Sequence, residues 1–218
     1  MKTIYHTLSV TTLLFAGFLL HGQKSVYTLP FENEYRLPAM QTRINSEEIA
    51  NTYQTMGNIY TTEITGLGEE KMEQTSMTFI SDTKVVDAIR FLEFYLEDQL
   101  ITPGEETHGA VEMSIIYYHE RGRFNPGAIL SILTIGLGTL CGIPFSTTVV
   151  DVEIESNLYD ESEHIFATYR GVGRGKKAQT IYNITTRKAH QKALRNALVD
   201  LNTKIMEDQN NQILSVLP

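Results

Sequence analysis

The sequence predicts an α+β domain: a two-layer sandwich with a mainly antiparallel sheet, two amphipathic helices and an inserted apolar helical hairpin. Three observations carry this. Two segments repeat apolar residues every three or four positions, as helices with one buried face do. Three others alternate apolar with polar residues, the period of a half-buried strand. Between them, residues 124–150 hold no charged side chain.

The chain begins as exported proteins do. Lys2 precedes an apolar run over 8–20, and Gly22 offers a small residue before Gln23. This pattern predicts a signal peptide over 1–22 that is cut at that point. A retained N-terminal anchor is the competing reading, and the run is short for one. Residues 23–72 form an N-terminal extension with weak signals, partly irregular. Leu29-Pro30 and Leu37-Pro38 favour extended backbone, Ser46 with Glu47 and Glu48 can open a short helix, and 60–65 is β-prone.

The main domain spans 73–208. A short strand is expected over 77–80, with Ser81 or Asp82 as the cap of a helix. In that helix Val85, Ile89, Leu92, Leu96 and Leu100 share one face, and Asp87, Arg90, Glu97 and Asp98 fall elsewhere. Pro103-Gly104 ends it. Val111, Met113, Ile115 and Tyr117 then alternate with Glu112, Ser114, Ile116 and Tyr118 as a strand. After the apolar insertion, Val150, Val152 and Ile154 alternate with Asp151, Glu153 and Glu155, which puts acid on the solvent face. A polar turn over 158–163 leads to a third strand starting at Ile165, Ala167 and Tyr169. Gly171, Gly173 and Gly175 follow at every second position, so all three face one way and let another element approach closely. The spacing matches neither phosphate-binding glycine motif. The last helix covers about 185–208, with Ala193, Leu194, Ala197, Leu198, Leu201 and Ile205 as its apolar stripe; 209–218 is a tail.

The insertion at 126–145 has the length of a membrane span. A single span would place Arg121 and Arg123 outside and Asp151, Glu153 and Glu155 inside, which reverses the usual bias. Gly136 and Gly138 split it into halves too short to cross, so a hairpin turning there and stopped by Pro144 fits better. Such a hairpin exceeds what one sheet can cover. Ile129, Leu130, Leu133, Ile135, Leu137, Leu140 and Ile143 are therefore expected to meet a membrane surface or an envelope protein partner; full burial within a soluble binding domain is the alternative. Cys141, the sole cysteine, reads as a small buried hydrophobe.

Charge is divided unevenly. Residues 24–163 hold 8 basic and 23 acidic side chains, while 164–199 hold 8 basic and none acidic. Arg170, Arg174, Lys176, Lys177, Arg187 and Lys188 are candidates for contact with anionic lipid or glycan groups. Pairing with the acidic half would leave the same cluster a plain solvated face. Stacking aromatics are not interleaved in it, which argues against nucleic acid. No metal-ligand spacing among the histidines, no G-x-S-x-G and no cofactor motif is present. A non-enzymatic role is expected, an enzyme such as a hydrolase with a site assembled from distant residues being the alternative.

ILTIGLGTLCGIPF followed by TTVVDVEIE resembles the L-T-x-G-L…I-P element of uncharacterised exported and lipoprotein-type families of Gram-negative bacteria. In those families a hairpin and a helix rich in alanine and leucine follow, as in KAHQKALRNALVDL. The resemblance covers about 112–205 and implies an α/β domain at the periplasm or outer-membrane periphery, with no catalytic residue. The lipid-acceptor cysteine of the lipoprotein members is missing here.

Overall fold

A computed structural model of the chain describes residues 27–33, 36–56, 59–65, 71–77, 82–104, 107–124 and 137–210. Contacts divide it into two units, 1–31 and 32–218. In the first, the described residues form no regular element.

The second unit is α+β, with a mixed sheet of six strands. In chain order it comprises β1 (Gln41–Ile44), α1 (Ser46–Met56), β2 (Ile59–Thr65), β3 (Lys71–Met77), α2 (Asp82–Tyr95), β4 (Ala110–Phe124), α3 (Leu137–Leu140), β5 (Ser146–Tyr159), β6 (Ile165–Gln179) and α4 (Arg187–Asn210). The strands run in the order β3-β2-β4-β5-β6, with β1 also beside β4. β1 and β2 both lie parallel to β4, against opposite ends of it, and the other pairs are antiparallel.

Residues 41–72, expected within a partly irregular N-terminal extension, together with 73–77 supply three strands and a helix, and the boundary expected at 72–73 falls inside β3. Of the strand expected over 77–80 only Met77 is described, as the last residue of β3; 78–81 lie outside the described residues. Among the described residues three helices of eleven residues or more form: the two amphipathic ones expected, and a third that opens at Ser46, where a short helix was expected. This one, α1, is capped by Asn45, whose Oδ1 accepts the Glu48 N–H at 3.0 Å. Glu47 and Glu48 complement its dipole, and Ile49 and Tyr53 bury one face.

α2 continues through a π-helical turn, Leu96–Leu100, closed by the Ile101 N–H on Leu96 O. Its buried face is turned from the expected one. Ala88, Phe91, Leu92, Tyr95, Leu96 and Leu100 are inside, whereas Val85 and Ile89 are half-buried. Asp87, expected in solvent, is buried.

β4 carries a register shift between Ile115 and Tyr117. A bulge of this kind inserts one residue and reverses the alternation beyond it. Val111, Met113 and Ile115 are inward before it, and Tyr118 and Glu120 after it; Tyr117 is turned out. β5 keeps a single phase, with Val150, Val152 and Ile154 buried and Asp151, Glu153 and Glu155 on the open face, as expected.

The glycines of β6 seat α4. A Cβ at Gly171, Gly173 or Gly175 would collide with the backbone carbonyl of Ala197, Ala193 or Ala189 respectively. Every residue of the expected α4 stripe is fully buried. The helix also reaches over the outer edge of the sheet. Asp200 Oδ2 accepts the Val172 N–H at 2.8 Å, Asn196 Nδ2 donates to Arg174 O at 2.8 Å, and Lys204 Nζ donates to Arg170 O at 2.6 Å.

The insertion differs in part from the hairpin reading. Residues 125–136, with the first limb and Gly136 of the turn, lie outside the described residues. Leu137–Leu140 is a single helical turn, and 141–145 are not helical. Cys141 is exposed, not buried.

Candidate functional site

The three long strands β4, β5 and β6 bring one end of the sheet together: the carboxyl ends of β4 and β6 and the amino end of β5. In register, Arg123 lies beside Thr147 and Ala178, and Thr148 beside Lys177. Two segments project beyond this end. One is α3; the other is the connection 180–186 from β6 to α4. They touch where the Tyr182 hydroxyl donates to Leu140 O at 2.6 Å. A tight turn shapes the connection, with mutual backbone hydrogen bonds between Thr180 and Asn183. Gln179 Nε2 holds Ile184 O at 3.3 Å.

The side chains on this tip are apolar and open to solvent. Leu137 is 63% exposed, Leu140 62%, Tyr182 71% and Ile184 63%. Ile181 and Cys141 are exposed beside them. Leu137 and Leu140 are two of the seven expected contact residues. Ile143 is half-buried, and Ile129, Leu130, Leu133 and Ile135 lie outside the described residues. Ile181, Tyr182 and Ile184 carry no periodic signal and were not anticipated. Three apolar residues of four between 181 and 184 were the available cue.

The basic residues separate into two groups. Arg170 pairs with Glu155 at 2.8 Å, Arg174 with Asp151 at 2.5 Å, and Arg187 with Asp87 at 2.6 Å. These arginines complete charge pairs on the open face and at the start of α4. Lys176, Lys177 and Lys188 form no ion pair with a described residue, and neither does Lys192 one turn along α4. These lysines lie at the end that carries the apolar tip.

Arg187 does more than neutralise. Its Nε and Nη2 grip both oxygens of the buried Asp87 at 2.6 and 2.7 Å, and Gln191 adds a bond at 3.1 Å. Arg187→Met should therefore strand a buried carboxylate and destabilise the fold by about 2 kcal/mol. Chemical denaturation checks this, and the added variant Asp87→Asn should recover part of the loss.

A second polar cluster lies inside. The Tyr53 hydroxyl meets His190 Nε2 at 2.5 Å, and both residues are fully buried. The Tyr53 ring stacks on Tyr118 at 4.5 Å, and His190 stands edge-on to both rings. The Tyr118 hydroxyl donates to Glu120 Oε2 at 2.6 Å, and Lys84 Nζ donates to the same oxygen at 2.5 Å. Burial pushes the tyrosine hydroxyls up, for Tyr118 with Glu120 adding to the shift. Burial, then the nearby Lys84, pulls His190 down to about 3. Among the described residues its Nδ1 has no hydrogen-bond partner. The cluster ties α1, α2, β4 and α4 together, with the Tyr53 and Tyr118 hydroxyls protonated and the His190 ring neutral near neutrality.

At the far end of α4, Thr168, Tyr169, Arg170, Lys204, Glu207 and Asp208 line a shallow cleft of about 510 Å³. Among the described residues no group of histidine, cysteine, aspartate or glutamate side chains could hold a metal ion. Among them, too, no helix is long and apolar enough to cross a membrane.

No protein-family model and no curated protein matches the chain. Solved structures similar to it, at low TM-scores, include the following three. A Xanthomonas campestris protein of the family DUF330 shares 9% identity over 85% of this chain and 91% of its own, with a TM-score of 0.37. A Caulobacter crescentus protein described as a candidate lipoprotein shares 11% over 75% of this chain and 96% of its own, with a TM-score of 0.34. An uncharacterised protein shares 12% over 84% and 96%, with a TM-score of 0.25. At such scores the site rests on this chain's own residues.

Proposed function

We propose that this chain is an exported cell-envelope protein, non-enzymatic, that docks through the apolar segment between β4 and β5. It acts at the periplasm or outer-membrane periphery after signal cleavage. The observation that carries the reading is the tip itself. Leu137 and Leu140 are exposed on a single helical turn, which the Tyr182 hydroxyl ties through Leu140 O to a separate connection where Tyr182 and Ile184 are exposed too. Clustered apolar side chains at one end of a sheet are what a docking element presents. The signal-like N-terminus and the L-T-x-G-L…I-P element support the envelope setting. The helices packed on the sheet support the two-layer arrangement, with α3 at its end.

The test is fractionation of cells that export the chain. Leu137→Asp with Leu140→Asp should move the protein from the membrane pellet to the soluble fraction while its thermal transition stays in place. A parent protein found in the soluble fraction would overturn the reading. So would a variant that loses its transition, because the segment would then be core.

A further inference from the structure

The unpaired lysines and the apolar tip share one end of the sheet, and we infer that this end is a binding site for an anionic phospholipid surface. The inference rests on the docking function proposed above and names the partner. Lys176 and Lys177 are the last cations of β6, and Lys188 opens α4. The tip residues Ile181, Tyr182 and Ile184 lie between them in sequence. Leu140 is held against Tyr182. Three lysines without an ion pair among the described residues therefore flank, along the chain, the exposed Ile181, Tyr182 and Ile184, with Leu140 tied to Tyr182.

Each part of this arrangement answers to one layer of a bilayer. Leucine and isoleucine side chains enter the acyl boundary, and a tyrosine ring suits the headgroup level. Lysines flanking such a tip reach lipid phosphates on flexible stems. The first turn of α4 has Arg187 and Lys188 and no acid, although its dipole favours negative charge there. Asp87 answers Arg187 from another helix, and nothing among the described residues answers Lys188.

The opposite end of the sheet excludes the reverse orientation. There Asp160, Glu161 and Glu163 form the β5–β6 turn, with Glu163 held by Arg43 at 2.6 Å. Ile165 and Phe166 are exposed beside that turn, in surroundings that an anionic surface repels. β5 separates the two ends by roughly 45 Å at about 3.3 Å per residue. Charge of opposite sign at that separation gives the molecule a preferred orientation, with the sheet upright on the bilayer and the acidic turn pointing away.

The experiment uses the purified chain and two kinds of vesicle, phosphatidylcholine alone and phosphatidylcholine with phosphatidylglycerol, at about 0.1 M salt, where charges act over about 10 Å. An environment-sensitive fluorophore on Cys141, the sole cysteine and exposed on the tip, reports entry. The parent should float with the anionic vesicles, shift the fluorophore to the blue, and come off as salt rises. Lys176→Glu, Lys177→Glu and Lys188→Glu together should lower partition at least tenfold. Arg170→Glu, six residues up β6 and on the paired row, should leave it unchanged. Equal partition onto both vesicles with no salt dependence would overturn the anionic site and leave the docking function standing. Binding to anionic vesicles without a blue shift would overturn the orientation. Absence from both vesicles, with the parent still in the cellular membrane pellet, would overturn the lipid partner in favour of a protein.

Discussion

Gly173→Val is expected to leave no cooperative unfolding transition, or one weakened by about 4 kcal/mol or more. A Cβ there meets the carbonyl oxygen of Ala193 and the backbone nitrogen of Ala197, and would stand 2.8 Å from the Ala197 Cβ. The first two are helix backbone, which cannot rotate aside. α4 would have to lift from β6, uncovering Ala193, Leu194, Ala197, Leu198 and Leu201, all fully buried. A domain with a typical 5–15 kcal/mol in hand loses much of it that way. Val172→Ala, one residue away on the open face, should change stability by no more than about 0.5 kcal/mol. Urea denaturation compares the two. A valine variant within about 1 kcal/mol of the parent would mean that α4 does not rest on these glycines.

Stability should fall on acidification between about pH 6.5 and pH 3, and His190 should account for a large part of the fall. Its folded value is lowered from the usual 6.5 to about 3 by burial first, and by Lys84 second. Below pH 6.5 the unfolded chain takes up a proton that the folded imidazole refuses, so acid favours unfolding. The loss grows as pH drops and levels off near pH 3, where the folded ring is protonated too. Fully developed, it is on the order of 4 kcal/mol. His190→Gln should be less stable at pH 7 yet show a flatter profile over that window. Equal slopes in parent and variant, followed by urea titration at several pH values, would contradict the assignment.

What could be read from the sequence, and what could not, follows from how far each pattern reaches. The alternation of β5 and the glycines of β6 are local, and both read correctly, down to the helix that the glycines admit. β4 reads correctly as far as Ile115. A single bulge then exchanges Tyr117 and Tyr118, and nothing in the alternation itself announces it. β1 escaped notice because it has only four residues, whereas β2 reads as β-prone over 60–65 without any sign of its partner. Their parallel pairing with β4 leaves no hairpin turn in the sequence to mark it.

Candidate site residues divide the same way. The lysines and the leucines of the insertion stand out by composition alone. Asp87 looks like an ordinary surface charge until Arg187, 100 residues away, is found on it. Tyr53 and His190 are 137 residues apart and meet only in the fold. Of the basic cluster, the sequence could not tell the arginines with acidic partners from the lysines without them, because the partners lie one strand or one helix away.

The reach of α4 over the rim of β6 also bears on how copies of this chain can meet. An outermost strand of fifteen residues is a template on which a neighbouring chain can lay down a strand of its own. Here Asp200, Asn196 and Lys204 already occupy the outward hydrogen-bonding positions at Val172, Arg174 and Arg170. A second copy adding at that rim would first have to strip three side chains from the middle of the strand. The chain thus supplies its own stopper against edge-to-edge polymerisation, and it does so with the same helix whose other face fills the core.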